Sequence, residues 1–430
     1  MGIRPAIRDN AAMATKPLPR VVIIGGGFGG LQCAKALRDE PVDAVLVDRH
    51  NYHLFTLLLY QVASCLLNPA EVAAPLRKVL RGAANVRYRM GDVSRVDFAG
   101  KRVHFADGSV LEYDYVVIAT GSVTNYYGND AVARHALGLK DLGEALQLRN
   151  HVLECLEHAA AIADTDERRR LLTFCIVGGG PTGVEYAGAL AELVRLVLPY
   201  EYPEIPPSDV SILLLEGADR LLTMFVPRLS NYARRELERR GIDVRTNTLV
   251  ASADGKGVVL HDGTELPTAT MVWTAGVQPN DVVHDPPRRI EVDDQLRIVG
   301  AQGAFAIGDV AAGHDRHGNE LPMISPPAMQ AGRYVARHIV DGYAKRPFRY
   351  RDKGTLATIG RKSAVGQVGR LRFHGFPGWV VWLVVHLYYL IGFENRLQVM
   401  LRWAWYYVRL DRPARAIIWS NPPRGNAAPG

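Results

Sequence analysis

Three features predict an α/β protein with two Rossmann-like dinucleotide-binding units, the second inserted in the first, and a C-terminal helical segment that associates with a membrane. A glycine-rich turn lies between two apolar strands at residues 20–48. The pattern returns at 173–216, and each copy is followed by a meander of short strands. From Arg346 onward the chain turns basic and aromatic, with 14 Lys and Arg against three acids.

The first unit begins with Val21–Ile24, a β-branched run suited to a buried parallel strand. Gly25, Gly27 and Gly30 supply G-x-G-x-x-G, and residues 31–37 contain no helix breaker. Gly25 allows the tight turn, Gly27 lets backbone approach a pyrophosphate, and Gly30 lets helix and strand pack closely. The helix N-terminus offers free N–H groups and a positive dipole end to phosphates. A second apolar run, 44–47, ends at Asp48, 23 residues after Gly25 and near the ~20 at which an acid holds a ribose hydroxyl. The dense apolar stretch after Asp48, RHNYHLFTLLLYQVAS, belongs beside the ligand of this unit.

The second unit repeats this at Gly178, Gly180 and Gly183, with a strand at 210–215 ending in Glu216. The 38 residues from Gly178 to Glu216 imply an insertion, LPYEYPEIPPSD at 198–209. Two such units imply two dinucleotides that exchange something. Residues 85–118 and 244–277 read as matching meanders, with hairpin turns at Asp107-Gly108 and Asp262-Gly263. They end in strands running into Ala119-Thr120-Gly121 and into TAGV, which contains Gly276. Residues 141–163 form a helix between the units. A small strand at 304–311 delivers Gly308 and Asp309 to a turn, and a helix follows at 326–340.

In the tail, 379–391 is apolar on all sides but, at about 20 Å of helix, too short for a ~30 Å hydrocarbon core. On the 393–410 helix, Glu394, Asn395, Gln398, Arg402 and Arg409 share one arc, and most of the remainder is apolar. That pattern suits a membrane interface. Removing 379–430 is then expected to release the protein from membranes. Arg396 falls on the mainly apolar face, either turned inward toward a bound acceptor or snorkelling to the interface.

The net charge of +7 divides into +11 after residue 345 and −4 before it. A basic tail suits an anionic membrane or nucleic acid, and its aromatic content favours the membrane. Cys33, Cys65, Cys155 and Cys175 are scattered and form no CxxC, so neither a redox disulfide nor a metal site is expected. Residues 1–19 lack the apolar run of a secretory signal and read as a disordered leader.

Taken together, GGGFGG, VDRHNYHLFTLLLYQVAS, YVVIATGS, GGGPTGVEYAGALAE, FAIGDVA and the GF-x-NR…WAWYY tail resemble the type II NADH dehydrogenases, non-proton-pumping NADH:quinone oxidoreductases, over about residues 20–420. The resemblance implies an FAD-binding domain at 20–140 and 286–345, an NADH-binding domain at 141–285 and a membrane-anchoring region at 346–430. It implies FAD on Gly25, Gly27, Phe28, Gly29, Gly30, Asp48, Arg49, Ala119, Thr120, Gly121, Asp309 and Gln330. It implies NADH on Gly178, Gly180, Pro181, Thr182, Gly183, Glu185, Glu216 and Gly276. Glu216 would accept the ribose hydroxyls and repel a 2′-phosphate. Glu185 and Gln330 are the implied catalytic residues, Glu185 as a proton-relay group. The implied partners are a quinone, ubiquinone or menaquinone, and an anionic membrane surface, with no nucleic acid. The implied state is a homodimer lying peripherally on the cytoplasmic face of a bacterial inner membrane.

Departures from the family pattern concern the acceptor side. Ser325-Pro326-Pro327-Ala328-Met329-Gln330 replaces AQ-x-A-x-Q, Leu57 stands for a proline, and Glu394 replaces a basic residue. Two rival readings stay open: a reductase of the same fold with another acceptor, and a membrane-bound flavoprotein that serves as an interaction or sensing module.

Overall fold

The computed structural model describes residues 17–284, 287–341, 346–409, 412 and 414–418. Most of the expected leader, the 285/286 boundary and the chain beyond 418 lie outside the described residues. The first five-stranded sheet is parallel and runs in the order Ala304–Ala306, Tyr115–Ile118, Arg20–Ile24, Asp43–Asp48, Val86–Met90. Its central strands are almost wholly buried, as their continuous apolar runs require, while the edge strand Val86–Met90 alternates buried and exposed residues. The second sheet, also parallel, runs Ala136–Leu137, Thr270–Trp273, Thr173–Val177, Ser211–Leu215, Ile242–Arg245. Ala304–Ala306 joins the first sheet only after the second is complete in chain order.

The meanders are three-stranded antiparallel sheets, and Gly108 and Gly263 take φ of +81° and +85° in their turns. A two-stranded ribbon, Ser122–Thr124 against Val277–Pro279, joins the exits of the two parallel sheets. The Pro- and Tyr-containing stretch after 198 is not wholly an inserted loop. The helix Pro181–Glu201 continues through Pro199, and Tyr202 and Ile205 then tuck into the core. At Pro199 the helix forgoes the hydrogen bond to the Arg195 carbonyl and crowds it, with only the last turn beyond.

The C-terminal part departs most from expectation. It opens with a three-stranded antiparallel sheet, Thr355–Gly360, Ser363–Val368 and Leu371–His374, laid on the helix Pro181–Glu201. A Cβ on Gly188 would lie 2.2 Å from the Ile359 carbonyl oxygen, so helix and strand meet backbone to backbone. Two helices follow, Gly375–Tyr389 and Phe393–Arg409. Among the described residues no helix is long and apolar enough to cross a membrane. Trp382, Val399, Trp403 and Tyr406 enter the largest apolar core beside Tyr186 and Leu190. The tail is therefore part of the body, and deleting 379–430 would remove core as well as surface.

Candidate active site

Both glycine turns sit at the carboxyl ends of their sheets, where open α/β folds bind ligands. Gly25 has φ +107°, and a Cβ there would lie 2.2 Å from the Ala119 carbonyl oxygen. A Cβ on Gly30 would lie 1.9 Å from the Gly25 oxygen, whereas one on Gly27 would meet nothing within 4 Å. The second turn repeats this: Gly178 has φ +111°, a Cβ on Gly183 would lie 1.9 Å from the Gly178 oxygen, and Gly180 faces open space. Phe28–Ala36 and Pro181–Glu201 point their N-termini at these spaces, the latter with Pro181 in its first turn.

Each acid also braces its own turn. Asp48 accepts the Gly26 N–H at 2.6 Å and the His50 N–H at 2.7 Å. Glu216 accepts the Gly179 N–H at 2.5 Å and the Ala218 N–H at 2.7 Å. Arg49 and Thr182 are exposed beside the respective turns. Asp309 accepts the Ser122 hydroxyl at 2.5 Å and lies 3.7 Å from the Lys140 Nζ. Ser122 directly follows the Ala119-Thr120-Gly121 turn, a position the sequence made visible but which went unassigned.

The first cradle fits a flavin dinucleotide on its own geometry. Besides the open space at Gly27, the Thr120 Oγ1 and the His53 Nε2 are buried with no hydrogen-bond partner among the described residues. The His53 Nδ1 sits 2.9 Å from the Gly26 carbonyl oxygen, and burial lowers the imidazole to about 4, keeping it neutral.

Glu185 lies in the first turns of Pro181–Glu201 and is buried. Burial raises its carboxyl to about 8, against the pull of the Thr358 N–H, which donates to Oε1 at 3.1 Å, and of the nearby Trp382 indole. The Trp382 Nε1 itself is buried without a regular hydrogen-bond partner among the described residues. Its ring stacks on His386 at 4.1 Å, and the His386 Nδ1 faces the Trp382 carbonyl oxygen at 2.8 Å. The sequence reading missed Thr358 and Trp382, which reach Glu185 from the unexpected sheet and from the tail.

Two residues expected near the acceptor are engaged elsewhere. The Gln330 amide donates to the Arg351 carbonyl at 2.9 Å, and its oxygen accepts the Arg351 N–H at 3.0 Å. Arg396 donates to the Leu390 and Tyr388 carbonyls at 2.7 and 2.9 Å. It thereby caps the last turn of Gly375–Tyr389. Glu394 pairs with Lys78 at 2.5 Å. The four cysteines are buried and unpaired, and burial pushes their thiols up to about 11 or 12, so they stay protonated and are poor nucleophiles.

The chain matches the pyridine nucleotide-disulphide oxidoreductase family over residues 19–332. It is 37% identical over 423 residues to the type II NADH:quinone oxidoreductase NdhA of Mycobacterium tuberculosis, covering 93% of this chain and 89% of that one. The type II NADH:quinone oxidoreductase Ndh of the same organism is 37% identical over 407 residues, covering 89% and 87%. Among solved structures, NDH2 from Plasmodium falciparum in complex with NADH shares the fold with a TM-score of 0.85. That match is 20% identical and covers 93% of this chain and 100% of the other.

Proposed function

The chain belongs to the pyridine nucleotide-disulphide oxidoreductase family and within it to the type II NADH:quinone oxidoreductases, and we propose how its residues divide the work of oxidising NADH and reducing a quinone without pumping protons. The observation that carries this reading is the doubled cradle: two glycine turns, each with an open approach and a braced carboxylate.

Gly25, Gly27, Phe28, Gly29 and Gly30 would hold the FAD diphosphate, with Asp48 and Arg49 toward the adenosine ribose. Ala119, Thr120, Gly121 and Asp309 would line the ribityl side. Bound FAD supplies the two-electron carrier between hydride donor and acceptor. Gly178, Gly180, Pro181, Thr182 and Gly183 would take the NADH diphosphate, with Gly276 beyond them. Glu216 would accept the ribose hydroxyls, and its charge would oppose a 2′-phosphate.

Glu185 is mostly protonated at neutral pH and stands as a proton source for the quinone, which gains two protons with its two electrons. The Thr358 N–H holds Oε1 in place and stabilises the carboxylate left after transfer. Gln330 would enter only by releasing its amide from Arg351.

The domain limits follow the same reading: FAD at 20–140 and 286–345, NADH at 141–285, and membrane anchoring from 346. The protein would lie as a homodimer on an anionic membrane surface, on the cytoplasmic side. Support for the surface comes from Phe393–Arg409, where Asn395 and Arg402 turn toward Glu71 while Leu397, Met400, Leu401 and Trp405 are exposed. An apolar face turned outward is the reverse of an ordinary surface helix.

Purified protein should be yellow, bleach on adding NADH and regain its colour with a soluble quinone. A folded, flavin-loaded protein that bleaches but is not reoxidised by quinone would point to a different acceptor. One that never bleaches would overturn the reading altogether.

A further inference from the structure

Tyr127 is one of eight non-glycine residues with positive φ among the described residues, and the only aromatic one. Its φ is +54°, a left-handed conformation that is costly for a bulky residue and is kept only where the surroundings enforce it. The surroundings here are the rim of the second cradle. The Tyr127 N–H donates to the Asn125 Oδ1 at 2.8 Å, and the Asn125 N–H donates to the Gly276 carbonyl at 3.1 Å. The Trp273 indole N–H donates to the Asn125 carbonyl at 2.8 Å, so residues 125–127 are fastened to the end of Thr270–Trp273. The Tyr127 hydroxyl then donates to the Ala275 carbonyl at 3.0 Å. A Cβ on Gly276 would lie 2.2 Å from that hydroxyl. Despite these ties the residue is 67% exposed.

Sheet order says what passes this rim. Glu216 ends the strand on one side of Thr173–Val177, and Thr274 to Gly276 follow the strand on the other. The turn at 178–183 lies between them, and a Cβ on Gly178 would touch the Ala275 nitrogen at 2.7 Å. A dinucleotide with one ribose at Glu216 and its diphosphate at the turn must therefore carry its other nucleoside over 274–276. On the reading that NADH occupies this cradle, on which this inference rests, that nucleoside is nicotinamide riboside.

We propose that Tyr127 is a nicotinamide-positioning residue, its ring forming the wall of the NADH cleft against the nicotinamide riboside. Its hydroxyl, tied to Ala275, sets the angle of the ring. Gly276 lacks a side chain because the ring occupies that place. The strained backbone is the means by which the ring reaches from the connecting segment to the cleft.

The test uses flavin-loaded full-length enzyme carrying Tyr127→Gly, which removes the ring and also relieves the backbone. Expected are a KM for NADH raised roughly threefold to tenfold, the range of an aromatic contact, a kcat within twofold of wild type, and a melting temperature unchanged or higher. ADP, which lacks the nicotinamide riboside, should inhibit with an unchanged constant. Tyr127→Phe, which keeps the ring, should stay within about threefold of wild type in KM. Gly276→Ala should raise KM in the wild type and have little effect in the Tyr127→Gly background, where the added methyl has room. Glu216→Ala is the control for the underlying reading and should weaken both NADH and ADP. If Glu216→Ala weakens both but Tyr127→Gly leaves KM unchanged or lowers it, the inference falls and the reading stands. If Glu216→Ala changes neither, the placement of NADH itself is wrong. A Tyr127→Gly enzyme with a lowered melting temperature and equal losses for NADH and ADP would make Tyr127 structural only, which also overturns the proposal.

Discussion

Replacing Arg412 by alanine would remove a guanidinium that is wholly buried among three otherwise separate parts of the chain. It donates to the Glu192 Oε2 at 3.2 Å and to the Ser64 carbonyl at 2.5 Å, and lies 5.4 Å from the Tyr406 ring centre. Glu192 is 6% exposed in its side chain and keeps the Tyr406 hydroxyl, the Arg361 N–H and Arg240 at 3.1 Å. Because Arg240 remains, the loss belongs at the low end for a broken buried pair, ~3 kcal/mol. The stranded Ser64 carbonyl adds ~1 kcal/mol. At ~2 °C per kcal/mol for a large domain, the melting temperature should fall by about 8 °C. Glu192→Leu with Arg412→Met should recover none of it, because the leucine leaves the Tyr406 hydroxyl, the Arg361 N–H and an Arg240 nitrogen without their acceptor. Thermal unfolding of the flavin-loaded protein, with and without each change, measures both. A fall under 2 °C for Arg412→Ala, or a double variant as stable as wild type, would refute the claim that this cluster ties the tail to the body.

Glu185→Gln should gain stability relative to wild type as pH rises from about 4.5 toward about 8, because the fold holds the acid protonated and penalises its ionisation across that window. The same change should flatten the pH dependence of quinone reduction near pH 8, and identical pH profiles would remove Glu185 from proton transfer. Leu401→Asp with Trp405→Asp, at sites 58% and 52% exposed, should lower binding to anionic vesicles at least tenfold. High salt alone should weaken binding without abolishing it. Vesicle co-sedimentation checks both, and undiminished binding of the double variant would move the membrane contact elsewhere.

The glycine turns and their acids were legible because they answer to local rules. Gly25 and Gly178 need positive φ, and an acid about one βαβ unit later has few other uses. The return of the chain at 304–311 was legible as a small apolar strand ending in an aspartate. What escaped was long-range pairing. The periodicity of Phe393–Arg409 separates a polar arc from a mainly apolar remainder, but does not show that the polar arc meets Glu71, 331 residues before Arg402. It put Arg396 on the apolar face but could not show that Gly392 folds the helix back so that Arg396 caps its predecessor. The strand carrying Thr358 is weakly patterned, so its place against Glu185 comes from packing at Gly188 and Ile359. Gln330 likewise bonds to a backbone 21 residues away, a pairing no local pattern announces.

The strand order of the first sheet bears on how the protein is made. As the chain leaves the ribosome, the second parallel sheet has all its strands by Trp273, whereas the first must wait for Ala304–Ala306 at its edge. The helix Ser325–Val340 then closes on Phe28–Ala36, with the Gly29 oxygen 2.2 Å from where a Gly332 Cβ would be. The earliest-synthesised unit is thus the later of the two to finish. With four of its five strands made, its sheet spends the translation of nearly two hundred residues with the Tyr115–Ile118 edge open, a window in which nascent chains would be most exposed to mispairing and most dependent on chaperones.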